Sequence, residues 1–464
     1  MALLRVALLL LACAVALSTS AAASPAVADA AEHRDLAALR SLLRIHTDVN
    51  VAQPDGGTAL HWAAHWGDTE ATSLLIAAGA NVNVANDLGV TPLHLASAHA
   101  DAAVAVMLLK SGARTDVRPT SGETPLMIAA RTGRLETVRA LVEARAAVNG
   151  QDAVRGQTAL MWAANEQHAE VVRALLGYGA DVNLRSRGAF TALMFAGRIG
   201  DPVVTALLLD AGARIDDSAP EGGTALLLAA EGESSIAGKD FKRTLYPSGH
   251  EDTAILLVDR GANLDAADEF GHTALHLAVR KGKHRLISAL IAHRANLTAR
   301  MTRDEIPLPG DFNARDGLAG ATPFFLAAAA SDLEAMRMLA AAGADPNMRN
   351  AIGITPLMVA VGAHQYESRL PPESQMIAAV TLCIKLGNSV NAADQGGQTA
   401  AHYAVQMGVD EVLTFLIEHG AKPDAADRRG RTPLDVAVSN PSRPRPKTAA
   451  LLRGYLGISP TSVR

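Results

Sequence analysis

Gly122-Glu123-Thr124-Pro125-Leu126-Met127-Ile128-Ala129-Ala130 holds the phrase on which the fold turns: Thr, then Pro or Ala, usually Leu, any residue, an apolar residue and Ala. Thr124 suits the cap of a helix, because its hydroxyl accepts a hydrogen bond from an N–H of the first turn that has no partner within the helix. Pro125 then occupies the first helical position, where its missing donor costs nothing. Leu126, Ala129 and Ala130 fall three and four apart and share one face. The paired alanines leave room for another helix to approach, and Gly133 ends this first helix. A second helix is predicted from Leu135 to Ala144, with Val138, Leu141 and Val142 on one stripe.

The phrase occurs eleven times, beginning at Thr58, Thr91, Thr124, Thr158, Thr191, Thr224, Thr273, Thr322, Thr355, Thr399 and Thr432. Successive intervals are 33, 33, 34, 33, 33, 49, 49, 33, 44 and 33 residues. A period near 33 predicts a stacked solenoid, in which each unit buries its apolar faces against its neighbours only. Most second helices end in Gly-Ala, at Gly79, Gly112, Gly179, Gly212, Gly261, Gly343 and Gly420. Glycine suits the left-handed backbone position that closes a helix. A Val-Asn or Ile-Asp stretch and a Gly-containing turn lead into the next Thr.

Thr91-Pro92-Leu93-His94-Leu95-Ala96 and Gly79-Ala80-Asn81-Val82-Asn83 closely resemble the diagnostic segments of ankyrin repeats, and the resemblance runs over roughly residues 30 to 458. It implies an all-α ankyrin-repeat solenoid of eleven Thr-phrase repeats over residues 52–458. Residues 29–51 precede the first phrase and are expected to form an N-terminal capping repeat, with a helix from Leu36 to Ile45. The last repeat is atypical, with Asp435 in the His/Met position and Pro441, Pro444 and Pro446 between its helices. A polar outer face on the end units fits both departures.

Arg5, the twelve-residue apolar run Val6 to Leu17 and two small-residue cleavage candidates, Ala21-Ala22-Ala23 and Ala26-Val27-Ala28, read as a secretory signal over residues 1–28. The run is shorter than the ~20 residues that span a bilayer. A lipid anchor at Cys13 is the lesser reading, because the apolar run continues past it. Without the signal, Cys383 is the one remaining cysteine, so packing alone must stabilise the fold. Arg outnumbers Lys 34 to 8; together with the abundant alanine this suggests a GC-rich bacterium, and a periplasmic or secreted monomer is expected. A net charge of −5 and pI near 6.3 argue against general binding to nucleic acid or anionic membranes.

The three long intervals place insertions near 232–249, 299–316 and 363–373, the first and third between the two helices of a repeat. Their simplest reading is tolerated surface loops. Phe241, Tyr246 and Tyr366, in a chain only 3% aromatic, make partner contact the alternative. Residues 459–464 are a tail.

His61, His94, His276 and His402 share one position of the phrase, which Met127, Met161, Met194 and Met358 fill elsewhere. No common chemistry tolerates that exchange, so these histidines are read as structural. His61 and His65 lie four apart but lack further ligands at metal spacing. Gly232 to Lys239 has five residues between its glycines and no Ser/Thr after the Lys, so it is not a phosphate-binding loop. No catalytic motif and no cofactor site is found.

The family resemblance implies a partner gripped by the turn tips and by the exposed side of the first helices, on the concave surface. In this chain those positions are Asp55, His65 and Trp66, then Asp87, Leu88 and His99. Arg131, Arg187, Phe190 and Arg198 follow, and then Phe270, His272, Arg280 and Lys281. Trp66 is expected to be an exposed aromatic anchor, whereas Trp62 and Trp162 are expected in the core. Arg131, Arg155, Arg187, Arg198, Arg280 and Lys281 suggest a mildly basic lining, whose simplest reading is solvated surface charge; attraction to an acidic partner is the alternative. The expected function is a non-enzymatic scaffold for a protein partner. The alternative is a regulator or inhibitor that occludes an envelope enzyme.

Overall fold

Each Thr phrase opens a short helix that turns back through a second one. The structure is a computed structural model; it describes residues 25–220, 222–232, 249–303, 318–363, 370–439 and 445–458, and these hold 24 α-helices. Before the first phrase come α1 (Ala26–Glu32) and α2 (Leu36–Arg44). The first five phrases open α3 (Ala59–Trp66), α5 (Pro92–Ala96), α7 (Pro125–Arg131), α9 (Ala159–Asn165) and α11 (Ala192–Ile199). Their partners are α4 (Thr69–Ala77), α6 (Ala103–Lys110), α8 (Leu135–Glu143), α10 (Ala169–Gly177) and α12 (Pro202–Asp210).

The later repeats contain α13 (Ala225–Glu231) with α14 (Gly249–Asp259), α15 (Ala274–Arg280) with α16 (His284–Ala292), and α17 (Pro323–Ala329) with α18 (Leu333–Ala341). They end with α19 (Pro356–Ala360) and α20 (Glu373–Lys385), α21 (Ala400–Met407) and α22 (Asp410–Glu418), and α23 (Pro433–Ser439) and α24 (Pro446–Leu456). Among the described residues the fold is the expected all-α solenoid; the sole β features are isolated bridges within turns, such as Gln151 with Thr158. The chain divides into two compact units, one through residue 195 with 207–213, the other 196–206 with 214 onward. Within the first, α3 packs on α5, α7 on α9, and α4, α6, α8 and α10 pack in succession. Within the second, α13, α15, α17, α19, α21 and α23 pack in succession, as do the paired helices from α14 to α22.

Small residues make this stacking possible. Ala129 and Ala130 are fully buried beside Leu126, with Val138 and Leu141 facing them from α8. Gly197 replaces an alanine of the pair in α11, because a Cβ there would lie 2.6 Å from the Ala225 carbonyl oxygen. Where the closing glycine is missing, Arg145 and Arg294 take the left-handed position at φ 63°, at a cost of about 1 kcal/mol each.

Two features differ from the sequence expectation. The boundary at residue 28 falls inside α1, where Val27 and Ala28 are 1% and 0% exposed against the first repeat. Apolar area of that kind holds the capping helix down. Trp62 and Trp162 are half-buried rather than core. The signal segment with Cys13, the insertions over 233–248, 304–317 and 364–369 with Phe241, Tyr246 and Tyr366, Pro441 and Pro444, and the tail lie outside the described residues. No described helix is long and apolar enough to cross a membrane.

Candidate partner-binding surface

Three recurring hydrogen-bond ties absorb the polar atoms of the common phrase. Where the fourth position is His, its Nδ1 accepts the Thr N–H and its Nε2 donates to a carbonyl of the following turn. The Nε2–O distances are 2.9 Å for His61 to Val90, 3.1 Å for His94 to Val117, 3.3 Å for His276 to Ala321 and 3.0 Å for His402 to Arg431. Burial lowers the pKa of His61 and holds His94 and His276 down at about 4, so the neutral ring is the structural form. Where Met replaces His, the Thr hydroxyl caps the helix, as in Thr158 to the Met161 N–H at 3.2 Å.

The asparagines of the Val-Asn stretch form the second tie. Asn83 donates to Gly112 O at 3.0 Å and accepts from Arg114 N–H at 2.8 Å; Asn50, Asn149, Asn183 and Asn391 donate in the same way. The third tie joins turn tips: Asp87 N–H donates to Asp55 O at 3.0 Å, Thr120 to Leu88 O at 2.9 Å and Arg187 to Arg155 O at 2.9 Å. Main-chain atoms at the tips are thereby committed. Tip side chains such as Leu88 remain outside these ties, while Arg187 Nη1 donates to Val154 O at 3.3 Å, and at the tips the repeats differ from one another.

The first unit brings its predicted residues into two neighbourhoods. At the capping end, Trp66 is 40% exposed, its Nε1–H donates to Glu32 O at 3.1 Å, and His65 and Trp62 pack on it at centroid distances of 4.6 and 6.5 Å. Trp62 Nε1–H donates to Gln53 Oε1 at 2.6 Å, and Gln53 Nε2 donates in turn to Asp29 and Glu32 of α1. Asp55, Asp87 and Leu88 are exposed at the tips, Leu88 by 60%, while His99 bonds to the His65 carbonyl. Farther along, Arg131 lies 3.3 Å from Glu123, Arg187 is exposed, and Phe190 packs on the buried Phe195.

In the second unit several expected contact residues are otherwise engaged. His272 is 2% exposed, and its Nδ1 bonds to Asp268 at 2.9 Å, so it is an internal brace of its turn and not a surface contact. Phe270 is partly covered by Arg303, 5.1 Å from its ring. Arg280 and Lys281 both pair with Glu231. Burial pushes the Glu231 carboxyl up, but these two cations outweigh it and leave the pKa below its ordinary value. Arg198 is largely buried, which lowers its pKa. The expected basic lining is therefore partly compensated by internal carboxylates.

The fifth phrase position places Trp62 and Trp162 half-buried beside the turns, a role that the sequence does not signal. Arg131 and Arg155 both lie over the Trp162 ring, at 5.8 and 5.9 Å. Long apolar side chains next to an alanine pair read as core; nothing local marks the outward face.

Ankyrin-repeat family models match residues 27–119, 105–186 and 373–462, and further ankyrin models match 242–291 and 319–351. The chain belongs to the ankyrin-repeat family. Among similar proteins, it is 29% identical over 408 residues to the E3 ubiquitin-protein ligase KEG of Arabidopsis thaliana, covering 72% of this chain and 23% of that protein. It is 33% identical over 284 residues to the ankyrin repeat and KH domain-containing protein mask-1 of Caenorhabditis elegans, covering 57% of this chain and 10% of that one. The zebrafish neurogenic locus notch homolog protein 1 is 33% identical over 217 residues, 46% of this chain and 8% of the relative. The chain thus spans less than a quarter of the length of each of these three relatives. Ankyrin repeats are typically protein–protein interaction elements, and this chain carries them along most of its length.

Proposed function

We propose that this ankyrin chain is a non-enzymatic interaction module that holds a protein partner through its turn tips and first helices, and that it works outside the cytoplasm as a monomer. One observation carries the reading: side chains common to the repeats are used up in repeat-to-repeat bonds, whereas Leu88, Trp66 and Arg187 vary from repeat to repeat and keep exposed faces, Trp66 and Arg187 each giving one bond to a carbonyl of the preceding unit. Two groups that could do chemistry are occupied or suppressed. The phrase histidines have both ring nitrogens bonded, and burial pushes the Cys383 thiol up to about 12.

The burial of Val27 and Ala28 favours removal of the leader at Ala21-Ala22-Ala23, which leaves the capping helix intact. Amino-terminal sequencing of the exported protein reads this directly; a start at Asp29 would refute it. For the interaction itself, the mature chain and a Trp66→Ala/Leu88→Ala variant are compared in partner recovery from an envelope extract. Loss of the two apolar anchors lowers recovery at least about fivefold, with circular dichroism checking that the variant remains folded. Equal recovery by the two proteins contradicts the reading.

A further inference from the structure

The fifth phrase position holds a polar-tipped aromatic in three repeats, and in two of them the tip has a partner in its own turn. Trp62 donates to Gln53 at 2.6 Å, and Tyr403 Oη donates to Asp394 at 2.6 Å. The fourth repeat has Asp152 at the equivalent turn position, but its carboxylate is consumed by the main-chain N–H groups of Val154, Arg155 and Gln157. Trp162 Nε1–H is consequently shielded from solvent with no acceptor, and the Gln157 side-chain oxygen is also without a bond. A buried donor left in that state is unfavourable until something accepts from it.

The charge around the ring points the same way. Arg131 and Arg155 lie near the outer limit of the cation–π range from Trp162. Arg131 is paired with Glu123. Arg155 is exposed and has no carboxylate partner among the described residues. Glu123 pairs with Arg131 and the Asp152 carboxylate is spent on the main chain of its own turn, so the Arg155 guanidinium has no carboxylate bonded to it beside an indole N–H that lacks an acceptor.

We propose that Trp162, Arg155 and Arg131 form a subsite for a carboxylate carried on a peptide, an Asp or Glu side chain of the protein partner. With the covering side chains drawn aside, a carboxylate accepts from the indole N–H and from the Arg155 guanidinium together. An adjoining peptide N–H would supply the Gln157 oxygen with a donor. The assignment rests on the interaction-module reading and narrows the partner to one that presents an acidic segment.

The test uses the full mature chain with 15N-labelled tryptophan, in which Trp162→Phe identifies the Trp162 indole resonance. Hexaglutamate is titrated in, with hexaglutamine and succinate as parallel arms. The expected result is a saturable shift of the Trp162 indole N–H by hexaglutamate alone, with the Trp62 and Trp66 resonances left in place. Arg155→Gln should weaken that binding at least about tenfold and Arg155→Lys less; Arg155 is exposed, and melting temperatures check that each variant is folded. The proposal is overturned if hexaglutamate leaves the Trp162 resonance where it was, if Arg155→Gln binds as tightly as the parent, or if succinate reproduces the shift at equal concentration, which would assign the site to free diacids. The titration needs no natural partner, so its failure is separable from failure of the Trp66/Leu88 recovery assay.

Discussion

Trp62 and Trp162 occupy the same position of the same phrase, one hundred residues apart, and the turn beside each treats its indole N–H differently. In the first repeat the turn supplies Gln53, whose amide satisfies the indole and reaches back to Asp29 and Glu32 of the capping helix. In the fourth repeat the turn supplies Asp152, which closes on its own main chain and leaves the indole without an acceptor. A repeat scaffold keeps its backbone constant and lets one turn residue decide whether a neighbouring side chain has its polar tip satisfied or left without an acceptor. The general contrast is between polar groups with every bond made and polar groups with bonds to spare.

Acid should break the fully bonded class with the largest effect. His94 and His276 are held at about 4, below the 6.5 of an unfolded chain, because burial penalises the charged ring more than the bonds to backbone carbonyls favour it. The unfolded state therefore binds more protons between those values. Stability is complete above about pH 6.5 and falls as pH drops towards 4, by on the order of 3 kcal/mol for each histidine. Denaturant melts across that range check it, and His94→Met should flatten the fall.

At the capping end, Gln53→Leu removes one acceptor and two donations at once. It is expected to cost about 2–3 kcal/mol, read as a lower melting temperature with faster hydrogen exchange confined to α1 and α2. The tryptophan pair supplies the smallest and sharpest comparison. Trp62→Phe keeps the ring but deprives Gln53 of its donor, costing about 1–2 kcal/mol. Trp162→Phe deletes an N–H that had no acceptor, so stability should stay within about 0.5 kcal/mol or rise. Equal losses at the two positions would remove the contrast.

The architecture was legible in the sequence because each phrase residue acts locally: Thr caps, Pro starts, Gly closes, and the alanine pair faces inward. The structural role of His94 was legible too, since Met127 could replace it. What stayed hidden depends on contacts a whole repeat away. Glu231 neutralises Arg280 and Lys281 from 49 and 50 residues upstream, across an insertion that obscures the register. His272 looked like a tip residue, yet its bond to Asp268 turns the ring inward. Val27 and Ala28 read as a cleavage site because small apolar residues serve a capping helix equally well.

The division of labour proposed for this chain is that common-phrase side chains bind the repeats together and tip side chains meet the partner. It is tested most directly by placing a photo-crosslinking residue at Trp66 or Leu88, and separately at Arg139 or Glu170 on the exposed side of the second helices, in cells that make the full chain. A discrete adduct is expected from the first pair of positions and none from the second. Adducts from Arg139 or Glu170 with none from Trp66 or Leu88 would contradict it.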